Sequence, residues 1–197
     1  MPFPPLKDRP LAFVDVETTG LDPVEHEILE IAIIRESPGG ELSEWATKVK
    51  PVRLETAQPR ALEINGFAKH PELWDDAPTF ADIADQVADR LDGCVIVGHN
   101  VSFDHGFIKA ALQRVGSKAR LPYHKIDTVT LVFEHLVPRG CGSLSLDRVR
   151  EFLGWSLEDA HTALKDTHDC RRLWYELTGR PLPEPDEDLL GLVEDVD

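Results

Sequence analysis

Residues 11–17 read Leu-Ala-Phe-Val-Asp-Val-Glu, and this run limits the fold more than any other part of the chain. Four apolar residues in succession predict a buried β-strand. Side chains alternate across a strand, so positions i and i+2 share a face. Asp15 and Glu17 therefore project together from the strand's end, while Val16 turns into apolar surroundings. Two carboxylates held side by side against a core repel each other and lose hydration, which is costly unless something positive sits between them. A hard divalent cation with oxygen ligands meets that need. The Thr18-Thr19-Gly20 turn then offers backbone N–H groups and, in Gly20, a residue free to take positive φ. Taken alone, the two acids fit an ordinary strand end equally well.

Two further constellations supply partners. His99-Asn100-Val101-Ser102-Phe103-Asp104 follows an apolar run at 94–98 that reads as a central strand. Asn100 suits a helix N-cap, and an amphipathic stretch continues to about Val115. Asp104 falls in the first turn or so, where the helix dipole favours a carboxylate. The third, residues 160–166, reads Ala-His-Thr-Ala-Leu-Lys-Asp and opens a helix running through Leu177. His161 and Asp166 are five apart, about 140° around a regular helix. His161 is therefore expected on the loop or at the helix start, with Asp166 reaching inward. Singly, Asp104 reads as a surface acid, Asp159, Asp166 and Asp169 as solvated acids, and His99 as a strand-end residue that hydrogen-bonds locally.

In order, D-x-E-T-T-G-L, H-N-x-x-F-D and H-x-x-x-x-D resemble the three motifs of the DEDDh subgroup of DnaQ-like 3′–5′ exonucleases. They span residues 15 to 166. The stretch 26–180 is more similar to polymerase III epsilon-type proofreading domains than to oligoribonuclease. The resemblance implies an α/β ribonuclease H-like fold, a five-stranded mixed sheet flanked by helices. It implies two-metal hydrolysis, with Mg2+ or Mn2+, from the 3′ end of single-stranded DNA or RNA to nucleoside 5′-monophosphates. By that resemblance Asp15 bridges both cations, and Glu17 and Asp166 complete the water-side site. Asp104 holds the second cation largely through water. His161 is the general base, its unperturbed pKa of about 6.5 suiting it to accept a proton near neutrality. Thr18 would hold the terminal nucleotide through its backbone, and Leu21 would wedge against its base. Ile64, Asn65, Gly66 and Phe67 would shape the sugar and base pocket, although Ile64 and Phe67 read equally well as core. Phe103, Trp155 and Trp174 read as packing residues. Lys109, Arg114, Arg139 and Lys165 are solvated or phosphate-facing.

The remaining pattern predicts strands at 28–35 and 42–49 in an antiparallel meander with 11–14, and a short fifth strand at 123–126. Helices are expected at 58–66, at 79–91 behind a Thr79 cap, at 127–136, and from Ser143 or Ser145 to 153. A chain of 197 residues suits one domain, expected at 1–180 and followed by a flexible acidic Pro-containing tail at 181–197. No apolar stretch approaches the roughly 20 residues of a membrane span, and the N-terminus carries no secretory pattern. Three scattered cysteines, Cys94, Cys141 and Cys170, fit a cytoplasmic protein without a disulfide framework or zinc site.

A net charge of −15 argues against a phosphate-binding surface. The tail holds seven acids and no Lys or Arg, and without it 29 acids face 21 bases, a charge of −8. Binding is therefore expected to be weak, metal-dependent and poor on long duplex. Within the tail, residues 188–193 are either a docking segment for a polymerase or clamp or simply idle. Two classes of function remain: a 3′–5′ exonuclease, for which DNA proofreading or repair, RNA trimming and degradation of short oligonucleotides share the same motifs, and a non-catalytic adaptor. The presence of all five motif residues argues against the adaptor.

Overall fold

The computed structural model describes residues 4–158 and 160–183. The three early apolar runs form β1 (Leu11–Thr18), β2 (Ile28–Glu36) and β3 (Leu42–Lys48), paired antiparallel. β4 (Val95–Gly98) runs parallel to β1, and β5 (Lys125–Asp127) parallel to β4, giving the order β3-β2-β1-β4-β5. Six α-helices accompany the sheet among the described residues: α1 (Pro59–Ile64), α2 (Phe80–Leu91), α3 (Val101–Arg114), α4 (Thr128–His135), α5 (Leu146–Leu153) and α6 (Ala163–Thr178). The fold is thus the expected five-stranded mixed sheet flanked by helices.

β1 is apolar from Leu11 to Val14 because both its faces are covered there. Ala12, Val14 and Val16 join Ile31, Ile33, Ile83, Val87, Leu91, Phe107 and Ile108 from β2, α2 and α3. Phe13 turns the other way and packs with Ile34, Val97, Cys170 and Tyr175. Thr79 opens α2 in a reciprocal capping box with Asp82. Trp155 and Trp174 pack against apolar clusters under α6, and Phe103 lies against Phe107 at 4.7 Å between ring centroids.

Local expectations fail at four points. Asn100 stands at the N-cap of α3 in a left-handed conformation (φ 67°), and its side chain caps nothing; Asp127 Oδ1 instead accepts its backbone N–H at 2.9 Å. Gly20 is absent from the residues with positive φ. It is needed for space: a Cβ there would lie 2.4 Å from the buried His26 ring. His99 bonds at long range, to Thr128 Oγ1 at 2.9 Å and the Leu144 carbonyl at 2.7 Å. Tyr123 precedes β5 and is 88% exposed. The tail from residue 184, including 188–193, and Asp159 lie outside the described residues. Among the described residues no helix is long and apolar enough to cross a membrane.

Candidate active site

The C-terminal end of β1, the first turn of α3 and the first turn of α6 meet at one end of the sheet. Asp15 and Glu17 alternate with the buried Val14, Val16 and Thr18, so both carboxylates leave the same side of β1. The register slips between Glu17 and Thr18, where β2 carries an extra residue. Asp104 arrives from α3, 3% exposed, and its Oδ1 accepts the Val16 N–H at 3.1 Å. Asp166 arrives from the first turn of α6. His161 precedes that helix on the connecting turn with φ 67°. This is the placement its spacing from Asp166 predicts. Its N–H donates to Asp166 Oδ1 at 3.3 Å, and its Nε2 lies 3.3 Å from Asp147 Oδ2.

Crowding these acids together makes their charged forms unfavourable. Burial, then the charges of Asp104, Asp166 and Glu17, holds Asp15 well above the carboxylate range. Burial, then Asp166 and Glu30, pushes Glu17 up to about 9. Burial pushes Asp104 up to about 7, although backbone N–H groups at Asp104 and Val16 pull the other way. Burial also raises Asp166, against the Arg150 guanidinium and the nearby His161. One ligand atom from each of Glu17, His161 and Asp166 lies within 4.8 Å of the others. A cluster of hard oxygen donors whose protons are held this tightly is a set that a divalent cation would relieve.

Sequence reasoning missed the positive centre of this region. Arg150 on α5 is fully buried. It donates to Asp166 Oδ1 at 2.6 Å, Asp169 Oδ2 at 2.7 Å and Asp147 Oδ1 at 2.9 Å. Its signal was present: Leu146, Val149, Arg150 and Leu153 fall at i, i+3, i+4 and i+7, so an arginine occupies the helix's apolar stripe. Asp169, read as solvated, is buried between Arg150 and Lys165, whose Nζ lies 2.5 Å away.

The proposed substrate contacts divide by exposure. Leu21 is 73% exposed and Ile64 44% exposed, so both are open to a ligand. Phe67 is buried, 5.0 Å from Trp74 between ring centroids, as its core reading has it. Asn65 is buried and donates to the Thr18 carbonyl at 3.0 Å, which ties the end of β1 to the turn after α1. Gly66 follows in that turn with φ 78°. Arg114 is held by the carbonyls of Pro23, Val24 and His26, and Arg139 lies over the Phe152 ring at 5.9 Å.

Against known proteins, the family model described as Exonuclease matches residues 12–173, which takes in every motif residue. The chain belongs to the Exonuclease family. This exonuclease domain, of the DnaQ-like superfamily, is 34% identical over 154 residues to DNA polymerase III PolC-type of Thermotoga petrophila, covering 78% of the chain and 11% of that protein. It is 29% identical over 197 residues to ribonuclease T of Shewanella sp. W3-18-1, covering 86% of the chain and 84% of that protein. The chain thus spans about a tenth of its PolC-type relatives and 84% of ribonuclease T. In structure it is similar to an E. coli ExoI–ssDNA complex, with a TM-score of 0.72 at 20% identity, over 85% of the chain and 41% of that protein. At that identity the likeness speaks for the fold.

Proposed function

We propose that the domain is a metal-dependent 3′–5′ exonuclease of the DEDDh type, acting on single-stranded DNA and releasing nucleoside 5′-monophosphates. The observation that carries the reading is the meeting of Glu17, His161 and Asp166 within 4.8 Å at the end of β1, with Asp15 and Asp104 near enough for the carboxylates to disfavour one another's charge, all inside the family match. The donor set suits Mg2+ or Mn2+, and Asp15, Glu17, Asp104 and Asp166 are the residues that would hold two such ions. Bound there, divalent cations would polarise the scissile phosphate and make a bound water more acidic. His161, on a turn beside Asp166, accepts the proton of the attacking water. Water's oxygen bonds to phosphorus as the bond to the preceding nucleotide's 3′-oxygen breaks, and that oxygen takes up a proton from solvent water while His161 later returns its own to solvent. Leu21 and Ile64 meet the terminal base and sugar, while Asn65 holds the backbone at Thr18.

Support for a nucleic-acid substrate also comes from charge. Between Asp104 and Asp127 the chain carries Lys109, Arg114, Lys118, Arg120 and Lys125 with no Asp or Glu, and all five are exposed. DNA is favoured by the PolC-type relatives and by the ssDNA bound in the ExoI structure. The second reading, an RNA-trimming enzyme, is favoured by similarity to ribonuclease T over most of both chains. In either case three buried free thiols suit a cytoplasmic setting. A polymerase is the partner class that the PolC-type relatives suggest. The domain is assigned to residues 1–180 and the acidic segment 181–197 is assigned to docking or solvation. Parallel digestion of 5′-labelled single-stranded DNA and RNA of one sequence, with Mg2+ or Mn2+, separates the readings. Faster DNA shortening supports the first, and faster RNA shortening the second.

A further inference from the structure

The mechanism so far leaves Arg150 without a part, although it is among the largest fully buried side chains of the described residues. Its three bonds differ in where they lead. Nε and Nη2 reach Asp169 and Asp166, two acids three residues apart on α6. Nη1 turns back to Asp147 on its own helix, and the other oxygen of Asp147 meets His161 Nε2 at 3.3 Å. The Arg150 bond to Asp166 falls on Oδ1, as does the one from the His161 N–H, which leaves Oδ2 as the donor for a cation. A planar guanidinium is suited to such a task because its donors are fixed in one fork. Stability alone does not call for an arginine here, since buried ion networks are commonly replaced by well-packed apolar residues without loss.

We infer that Arg150 and Asp147 form a positioning relay. Arg150 sets the rotation of the ligand Asp166 and, through Asp147, the orientation of the base His161, so that ligand and base are placed by one buried group. This rests on the reading of the site as a metal-dependent nuclease. Neither residue touches the substrate in this scheme, and both act through their neighbours.

Arg150→Lys keeps the charge and loses the fork, so electrostatic attraction for a cation is held while positioning is removed. Calorimetric titration of the metal-free protein with Mn2+, well below the melting temperature, should show affinity about tenfold weaker, the usual scale for loss of an outer-shell partner. kcat on a 5′-labelled single-stranded oligonucleotide should fall by about tenfold or more, with KM unchanged. Asp147→Asn alters a side chain that is 40% exposed, so it tests the base arm even where Arg150→Lys does not fold. It should lower kcat about tenfold with KM and melting temperature near wild type. Folded Arg150→Lys with wild-type Mn2+ affinity, or Asp147→Asn with wild-type kcat, overturns the relay. If the wild type hydrolyses neither DNA nor RNA, the functional reading fails, and the Mn2+ affinity of Arg150→Lys still decides this inference.

Discussion

Each carboxylate at the end of β1 is held protonated beyond its ordinary range, and this has a consequence for stability. Glu17 titrates near 4.5 when unfolded and near 9 when folded. An acid with a raised folded pKa contributes stability that is full below about pH 4.5 and lost as pH rises toward 9. Metal-free protein should therefore melt at lower temperature at pH 8.5 than at pH 6, by a margin that shrinks in Glu17→Gln. Added Mn2+ should raise the melting temperature more at the higher pH. A fall that is equal in wild type and Glu17→Gln would contradict this. For activity, His161→Ala should lower kcat by about 10²–10⁴-fold, the range for a general base, in single-turnover digestion; a loss under tenfold would remove it from that role. Asp15 and Glu17 were legible because a strand's period of two forces them together. The role of Arg150 was not, because Asp166 and Asp169 lie on a different helix and only the fold brings them within its reach.

At the level of elements, the loop from Thr19 to Glu27 joins the site to the sheet. It is closed by hydrogen bonds from the Thr19 and Glu27 N–H groups and folds over the buried His26. Gly20→Ala would drive a methyl into the His26 ring, 2.4 Å from the nearest ring carbon. Overpacking of this kind costs about 1–3 kcal/mol, and relief must move the loop that carries Leu21. The expected result is a lower melting temperature together with a raised KM for oligonucleotide. An unchanged KM would show that Leu21 is not positioned by this contact. Strands and helices were readable from periodicity and caps, since burial on one face or two leaves a direct imprint on the sequence. Details that depend on distant partners were not. Asn100 carries a cap's side chain, but Asp127 takes up its backbone; Gly20 looks conformational until His26 is seen above it.

Over the whole molecule, charge is unevenly spread. The chain is acidic at −15, yet the run between Asp104 and Asp127 has five basic residues and no acid. A short tract of phosphates meeting that run predicts a shallow salt dependence. For Asp15→Ala with single-stranded oligonucleotide, log affinity against log salt should have a slope shallower than about −3, at about −0.7 per phosphate on single strands. Duplex of the same length should bind more weakly. A steep slope, or tight metal-free binding to duplex, would contradict a site that holds only a strand's end. At this scale the sequence pattern gave strands early and crossover helices late, and family resemblance implied a five-stranded mixed sheet, but the order β3-β2-β1-β4-β5 emerged only in the structure. Strand order depends on pairings between residues far apart in the chain, such as Phe13 with Val97. The most direct test is digestion of 5′-labelled single-stranded DNA with Mg2+ or Mn2+ beside Asp15→Ala. A ladder shortening from the 3′ end in the wild type and absent in the variant is expected. Equal ladders from both proteins, or none from the wild type with either metal, would contradict the assignment of this cluster as a 3′–5′ exonuclease centre.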